Sequence, residues 1–115
     1  MPNPVVHWEI LAKDAAKQQA FYTELFGWKV NSDNPMNYGV VETGGPGGIN
    51  GGIYQPPTGA RCVTFYVQVD DLQAYLDRAV SLGGQVAMGP TPIPGHGSFA
   101  CFVDPEGNVI GLFRP

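Results

Sequence analysis

One pattern, a strand followed by a helix, occurs twice in this chain. A shift of 57 positions places Thr64 on His7 and Gly84 on Gly27. Each copy begins with alternating apolar and polar residues, continues at helical spacing and ends at a glycine. Alternation in period 2 indicates a half-buried strand, and a terminal glycine is typical of a helix end. The sequence therefore predicts an internal duplication of one structural module.

The strand of each copy separates apolar from polar side chains. His7 and Glu9 are two residues apart, so we expect both on one face of the first strand, opposite an apolar face that belongs to the core. The second strand repeats this arrangement. The apolar positions are Val6, Trp8 and Ile10, then Val63, Phe65, Val67 and Val69, and the polar positions of the second strand are Thr64, Tyr66 and Gln68.

Both predicted helices carry start and stop signals. Asp14 precedes the first helix as an N-cap, and Gly27 follows it. Asp70 and Gln73, three residues apart, resemble a capping box at the start of the second helix. The pair Gly83-Gly84 marks the end of that helix. The apolar stripes are Phe21, Tyr22, Leu25 and Phe26 in the first helix and Leu72, Leu76 and Ala79 in the second.

Short apolar runs between Gly-rich and Pro-rich turns predict three further strands after each helix. In the second copy, a loop from Gly89 to Gly97 separates two of them. The predicted fold class is α+β: two tandem βαβββ modules, about residues 5–55 and 62–114, in a single domain over residues 1–115. Two such sheets side by side are expected to form a curved, half-barrel-like mixed sheet whose concave face is a ligand cleft.

Composition excludes several classes of partner. The net charge is −4 with only six Lys and Arg, so we expect no nucleic-acid partner. No apolar run approaches the roughly 20 residues of a membrane span and no export leader is recognisable, so we expect a cytoplasmic protein with no membrane partner. Cys62 and Cys101 lie in apolar strands without metal-ligand spacing, and we interpret them as buried free thiols.

Several motifs together resemble a known superfamily. They are the run His7-Trp8-Glu9-Ile10, the helix end from Phe21 to Trp28, the junction from Val67 to Leu72 and the ending from Asp104 to Ile110. In combination they are similar to the vicinal oxygen chelate superfamily, the group of glyoxalases, bleomycin-resistance proteins and extradiol dioxygenases. The resemblance implies paired βαβββ modules, a homodimer, and a small organic ligand or substrate in the cleft. In metal-dependent members, a divalent cation is held there by four side chains.

The resemblance also implies where those four metal ligands would stand. His7 matches the family's histidine, whereas Thr64, Gly52 and Gly111 occupy the other three positions. Catalytic divalent sites generally need at least three protein ligands. We therefore predict no cofactor and no four-ligand metal site, and we do not expect dioxygenase activity. The alternative is a relocated divalent metal on His7, Glu9 and a residue such as His96.

The polar strand faces supply the candidate site residues. His7 and Glu9 are the candidate catalytic pair, and their alternative role is a hydrogen-bonded pair that holds the cleft in shape. Hydroxyl and amide groups would orient a polar ligand, aromatic rings beside the two glycines would form stacking walls, and one histidine lies in a loop that could cover the cleft. These candidate ligand-binding residues are Tyr54, Thr64, Tyr66, Gln68, His96 and Phe113.

Three functions are open on this basis. The first is a metal-independent binding protein of the resistance or sequestration kind, which holds a small organic molecule. The second is a lyase or isomerase of the glyoxalase type, in which Glu9 or His7 removes a proton from the carbon next to a carbonyl group, with or without a relocated metal. A dimer-forming accessory module with a vestigial cleft is a third, since one fold can host many chemistries.

Overall fold

The computed structural model describes residues 2–115, which form eight strands and two helices. The elements are β1 (Val5–Leu11), α1 (Ala15–Phe26), β2 (Lys29–Asn31), β3 (Gly39–Glu42), β4 (Gly51–Tyr54), β5 (Cys62–Gln68), α2 (Leu72–Ser81), β6 (Gln85–Pro92), β7 (Ser98–Val103) and β8 (Val109–Arg114). The predicted α+β class with two βαβββ modules is confirmed. Neither helix in the described part of the chain is long and apolar enough to cross a membrane.

The first compact unit comprises His7–Val63. The Asp14 side chain caps α1 by accepting a hydrogen bond from the backbone nitrogen of Lys17 at 3.1 Å, and Gly27 ends the helix with a left-handed φ of 73°. Both signals were predicted and are confirmed. The strand order is β2-β3-β4-β1, in which β1 and β4 are parallel and the other pairs antiparallel. The parallel pair places Glu9 opposite Gly52.

The second compact unit comprises Thr64–Pro115 and the segment that ends at Val6. That segment belongs here because the Pro4 carbonyl accepts a hydrogen bond from the backbone nitrogen of Gln68 at 2.9 Å. The strand order is β5-β8-β7-β6, and again one pair, β5 with β8, is parallel. In that pair Tyr66 lies opposite Gly111, as Glu9 lies opposite Gly52 in the first unit. The duplication therefore extends to the register of the strands.

Burial differs between the two helices. Helix α2 contributes Leu72 and Leu76 to a core that also contains residues of β7 and β8, whereas α1 has no buried residue. Phe21, Leu25 and Phe26, in the predicted apolar stripe of α1, are each more than half exposed. The helical spacing was predicted correctly, but it did not show that the other elements of the unit leave this face uncovered.

The N-cap of α2 is Asp71, so the prediction of Asp70 was wrong. Asp71 has an extended backbone and accepts a hydrogen bond from the backbone nitrogen of Ala74 at 3.1 Å. The side chain of Gln73 does not reach back to Asp70 and instead donates to Asp77 one turn later. The repeat offset of 57 already aligns Asp71 with the first cap, Asp14.

The loop predicted from Gly89 to Gly97 is also shorter than expected. Strand β6 continues to Pro92 because Thr91 and Pro92 pair with Phe99 and Ser98 on β7. Register shifts between Val86 and Thr91 accommodate the Gly-rich and Pro-rich sequence, which is the usual role of a β-bulge. The turn is reduced to residues 93–97.

Two predictions about burial in and near β5 were wrong. Val63 is 77% exposed and Phe65 is 40% exposed, although both alternate with polar residues as core positions do. Within residues 2–115, Cys62 and Cys101 are not joined in a disulfide, as predicted, but they are half-buried instead of buried. Alternation identifies the residues that share a face, and it does not show what covers that face.

Candidate functional site

The first unit contains a chain of three hydrogen-bonded side chains on β1 and the turn before β3. The hydroxyl of Tyr38 donates to Glu9 Oε2 at 2.7 Å and lies 2.9 Å from Nε2 of His7. His7 and Glu9 share one face of β1, as predicted, and Tyr38 bridges them. Glu9 is 9% exposed, so its carboxylate is largely removed from water and the hydroxyl supplies a compensating hydrogen bond.

Tyr38 is fixed by its backbone as well as by its hydroxyl. The side chain of Asn34 accepts a hydrogen bond from the Tyr38 nitrogen at 2.9 Å and donates to the Tyr38 carbonyl at 2.8 Å. Asn37, between them in the turn, has a positive φ of 53°, a conformation that asparagine tolerates better than most residues. These local hydrogen bonds set the direction in which the tyrosine leaves the turn.

The ring of Tyr38 lies directly over Gly52. A Cβ atom added at Gly52 would overlap the hydroxyl and ring carbons of Tyr38, so any other residue at this position would displace the ring. Tyr54, two residues along β4, has its ring centroid 5.2 Å from that of Tyr38. The glycine in β4 thus provides space for an aromatic pair beside the His7–Glu9 face.

Burial shifts the acid–base behaviour of two groups near this face. Loss of hydration lowers the pKa of His7 below its ordinary value of 6.5, and the charge of Glu9 opposes this shift only in part. Burial, followed by the charge of Glu9, raises the pKa of the Cys62 thiol. At neutral pH the neutral forms of both His7 and Cys62 are therefore favoured.

The second unit also has an aromatic ring beside the glycine of its parallel strand pair. A Cβ at Gly111 would overlap the ring of Tyr66, and the Tyr66 ring in turn contacts Phe99 edge-on at 6.5 Å. On the closing strands, Val40 pairs with Gly52 and Cys101 with Gly111, so Phe99 corresponds to Tyr38. The second unit therefore has phenylalanine where the first has its bridging hydroxyl.

The remaining predicted ligand-binding residues also lie in the second unit. The Thr64 hydroxyl donates to the Val109 carbonyl at 2.7 Å and the residue is buried, so its single proton is already used within the fold. Gln68 and Phe113 are paired residues of β5 and β8, and both are half-buried. His96 is exposed in the turn between β6 and β7. The structure thus groups His7, Glu9 and Tyr54 in one unit, and Thr64, Tyr66, Gln68, Phe113 and His96 in the other.

The residues present do not fit the divalent metal that the resemblance implies. In the first module, His7 Nε2 already lies at hydrogen-bond distance from Tyr38, and the space beside Gly52 is filled by the Tyr38 ring. Within residues 2–115, no group of three or more His, Cys, Asp or Glu side chains is close enough together to hold a metal ion. The absence of a cofactor stays a prediction.

Sequence reasoning missed Tyr38. It lies in the turn before β3, outside the alternating strands that identified the other candidates, and the pairing of β3 with β4 brings it over Gly52. The available signal was the glycine itself, because a glycine in a buried strand often marks the close approach of another group. That signal indicates space for a large side chain and does not identify it.

Comparison with known proteins places the chain in a family. The sequence profile of the Glyoxalase/Bleomycin resistance protein/Dioxygenase superfamily matches residues 5–112. A glyoxylase-like domain-containing protein of Didymella fabae is 32% identical over 90% of this chain and 88% of its own length. CFP32 of Mycobacterium tuberculosis, which is named as a glyoxylase, is 30% identical over 92% of this chain and 43% of its own length.

The structural comparison supports the same fold. A methylmalonyl-CoA epimerase, solved in complex with methylmalonyl-CoA and NH4+, superposes with a TM-score of 0.68 and 14% identity over 99% of this chain and 95% of its own. The chain spans about half the length of the first curated relatives that it matches. By the profile match and by its relatives, this chain belongs to the Glyoxalase/Bleomycin resistance protein/Dioxygenase superfamily.

Proposed function

We propose that this chain binds a small organic molecule at the His7–Glu9 face of its first unit and that it does so without the four-ligand metal site that the resemblance implies for metal-dependent members. The observation that carries the proposal is the position of Tyr38. Its ring fills the space beside Gly52, where the family's carboxylate would stand, and its hydroxyl lies 2.9 Å from the nitrogen of the one retained histidine.

The chemistry of this face favours one class of ligand. Glu9 supplies a negative charge, His7 is favoured in its neutral form, and Tyr38 and Tyr54 supply aromatic rings. Aromatic rings attract cations through their faces, and a carboxylate accepts hydrogen bonds from N–H donors. We therefore propose an aromatic or cationic organic ligand. Thr64, Tyr66, Gln68, His96 and Phe113 stay predicted contributors, with Thr64 able only to accept a hydrogen bond while its proton is donated to Val109.

A lyase or isomerase of the glyoxalase type is the second candidate. One specific observation favours it: a half-buried imidazole and a buried carboxylate are connected through one hydroxyl, which is an arrangement suited to proton transfer. The names of the compared glyoxylases and epimerase also support proton removal next to a carbonyl group. On this proposal His7 or Glu9 is the base, and no step requires a metal ion.

Metal content separates the metal-independent proposal from a relocated metal site. Protein purified without chelator would be analysed for metals and its thermal midpoint measured before and after addition of Zn²⁺, Ni²⁺ or Mn²⁺, because a ligand that binds only the native state raises the midpoint. We expect far less than one metal per chain and no rise in the midpoint. One metal per chain that disappears in His7→Ala would contradict the proposal.

Ligand class is tested with a matched pair of probes. Benzylamine and benzoate carry the same ring with opposite charges and are similar in size, so their effects on protein NMR signals compare the two charges. We expect benzylamine to shift the His7 and Tyr38 signals more than benzoate, and we expect Glu9→Gln to remove the difference. Equal shifts by both probes, or none, would contradict binding at this face.

For the enzyme candidate, deuterium uptake from solvent into carbonyl compounds with an adjacent C–H, lost in Glu9→Gln, would support catalysis.

The homodimer implied by the family also stays a proposal. It is supported by the exposed side chains of Phe21, Leu25 and Phe26 on α1, because large apolar groups side by side on a surface often mark an interface. Analytical ultracentrifugation should give a dimer mass for the wild type and a monomer mass for Leu25→Glu. A monomer mass for the wild type would contradict it.

A further inference from the structure

We infer that a cavity at the outer edge of the first unit's sheet binds small zwitterions of the amino-acid class, with Lys29 as the partner of the ligand carboxylate and Glu42 as the partner of the ligand ammonium. The cavity has a volume of about 420 Å³ and is lined by residues of β2, β3 and the turn after β2. That volume lies within the range of roughly 300 to 1,000 Å³ found for small-molecule sites. None of the candidate residues predicted from the sequence lines it.

The strand register places two opposite charges side by side at this cavity. Lys29 of β2 lies directly opposite Glu42 of β3, and Asn31 lies opposite Val40 in the same way. Directly opposed residues of an antiparallel pair have Cβ atoms about 4.5 to 5.5 Å apart, and residues two positions apart on a strand share a face. One face of this strand pair therefore presents an ammonium group, a carboxylate, an amide and an apolar side chain to the cavity.

The charges of Lys29 and Glu42 do not neutralise each other. Opposite charges at directly opposed positions attract, but within residues 2–115 neither side chain takes part in a hydrogen bond or an ion pair. Both are exposed, so a ligand can reach both. A molecule with one carboxylate and one ammonium offers a partner to each, whereas a singly charged molecule leaves one of them without a partner. The carboxylate of Asp33 also lines the cavity and adds to the attraction for the ammonium.

The remaining lining residues supply a donor, a wall and an apolar surface. Asn31 Oδ1 accepts a hydrogen bond from the backbone nitrogen of Asp33 at 2.8 Å, so the N–H groups of the same amide are the donors left for a carboxylate. Asn34 uses both of its polar atoms on the backbone of Tyr38 and therefore serves as a wall. Val40 is 45% exposed and offers an apolar surface to the aliphatic part of a ligand.

The internal duplication shows that the module does not require these charges. Counted from the glycine of each parallel strand pair, the pair Lys29–Glu42 corresponds to the pair Gln85–Val103 of β6 and β7. Neither residue of the second pair is charged, although both units form the same strand pairing at this edge. The two charges are therefore particular to the first unit, as a binding role predicts.

The probe is leucine, compared with two molecules that each lack one of its charges. Removal of the amino group gives 4-methylpentanoate and removal of the carboxylate gives 3-methylbutylamine, while the branched side chain stays the same. Binding is measured at neutral pH and low salt from NMR shifts of the Val40 methyl groups and the Asn31 side-chain amide. We expect leucine to bind about two- to fivefold more tightly than either analogue, because one exposed charge contact contributes a factor of that size. Leucine that binds no more tightly than the amine, or that shifts neither signal, would overturn the inference.

Two variants assign each ligand charge to its partner. Lys29→Gln should remove the advantage of leucine over 3-methylbutylamine, and Glu42→Gln should reduce its advantage over 4-methylpentanoate. The matched controls are Lys17→Gln and Glu24→Gln on α1, which change the net charge equally at exposed positions outside the cavity. All four substitutions are at exposed residues, so we expect each variant to fold, which circular dichroism checks. Equal effects of the α1 variants and the cavity variants would overturn the inference.

This inference does not depend on the proposed function, and the two fail separately. Leucine binding is measured at Val40 and Asn31, whereas benzylamine and benzoate are compared at His7 and Tyr38. A preference for benzylamine without a preference for leucine overturns only the role of the cavity. A preference for leucine in a protein that does not distinguish benzylamine from benzoate overturns only the proposed function.

Discussion

The close contact between Gly52 and Tyr38 makes Gly52→Ala a sharp test of the structure. Alanine normally stabilises a strand relative to glycine by about 0.5 to 1 kcal/mol, because it restricts the unfolded chain. Here its Cβ would overlap the Tyr38 hydroxyl and ring, and the strand is buried. The substitution should therefore destabilise the protein, although it adds only one methyl group.

The expected magnitude follows from the two ways in which the overlap can be relieved. If the ring moves, the hydrogen bond to ionised Glu9 is lost at about 1.5 to 3 kcal/mol and that to His7 at about 1 kcal/mol. If the strand moves, overpacking costs about 1 to 3 kcal/mol. Because the cheaper route dominates, we expect a loss of about 1 to 3 kcal/mol in the free energy of unfolding. The thermal midpoint should fall by roughly 4 to 12 °C.

The assay is urea unfolding of four proteins with one matched control. Gly89→Ala makes the same change in a strand where a Cβ would meet nothing within 4 Å, so it should change stability by no more than about 0.5 kcal/mol. Tyr38→Ala removes the obstacle, and Gly52→Ala in that background should cost less than about 1 kcal/mol. An equal cost of Gly52→Ala in both backgrounds, or a cost equal to that of Gly89→Ala, would refute the reasoning.

Three further results are expected. Gly111→Ala should also destabilise the protein by about 1 to 3 kcal/mol in urea unfolding, because its Cβ would overlap Tyr66; a neutral result would contradict this. Asp71→Ala should lower stability by about 1 kcal/mol whereas Asp70→Ala should not, since only Asp71 caps α2; equal effects would show that the cap was misassigned. The pKa of His7 lies below 6.5, so the unfolded chain binds more protons as the pH falls. The stability that His7 contributes is therefore present above pH 6.5 and is lost as the pH falls through the folded pKa of His7. The free energy of unfolding of His7→Gln should fall less steeply on acidification than that of the wild type. Equal slopes would contradict this.

The architecture was predictable because it is encoded locally and twice. The alternation around His7 and the cap at Asp14 each depend on residues a few positions apart, and such patterns determine element type without knowledge of the fold. The second copy has the same pattern and therefore predicts the same module independently. The strand pairing at Gly52 in the first unit and at Gly111 in the second is equivalent, as the duplication predicts.

The candidate site was predictable only in part. Period 2 placed His7 and Glu9 on one face of a strand, as the structure has them. Tyr38 could not be predicted, because its position depends on the turn held by Asn34 and on the pairing of β3 with β4. The exposure of Val63 could not be predicted either, because burial depends on elements distant in sequence. Local sequence specifies which side chains share a face, and tertiary structure specifies what they meet.

The close fit of Tyr38 over Gly52 also constrains how this sequence can change over generations. A carboxylate at position 52 is sterically incompatible with a tyrosine at position 38, and loss of the tyrosine alone leaves buried Glu9 without this hydrogen bond. Either replacement alone, a carboxylate at position 52 or loss of the tyrosine at position 38, therefore gives a less stable protein. The two positions should for this reason change together. Across the superfamily we expect a bulky residue at the position of Tyr38 only where the position of Gly52 is small.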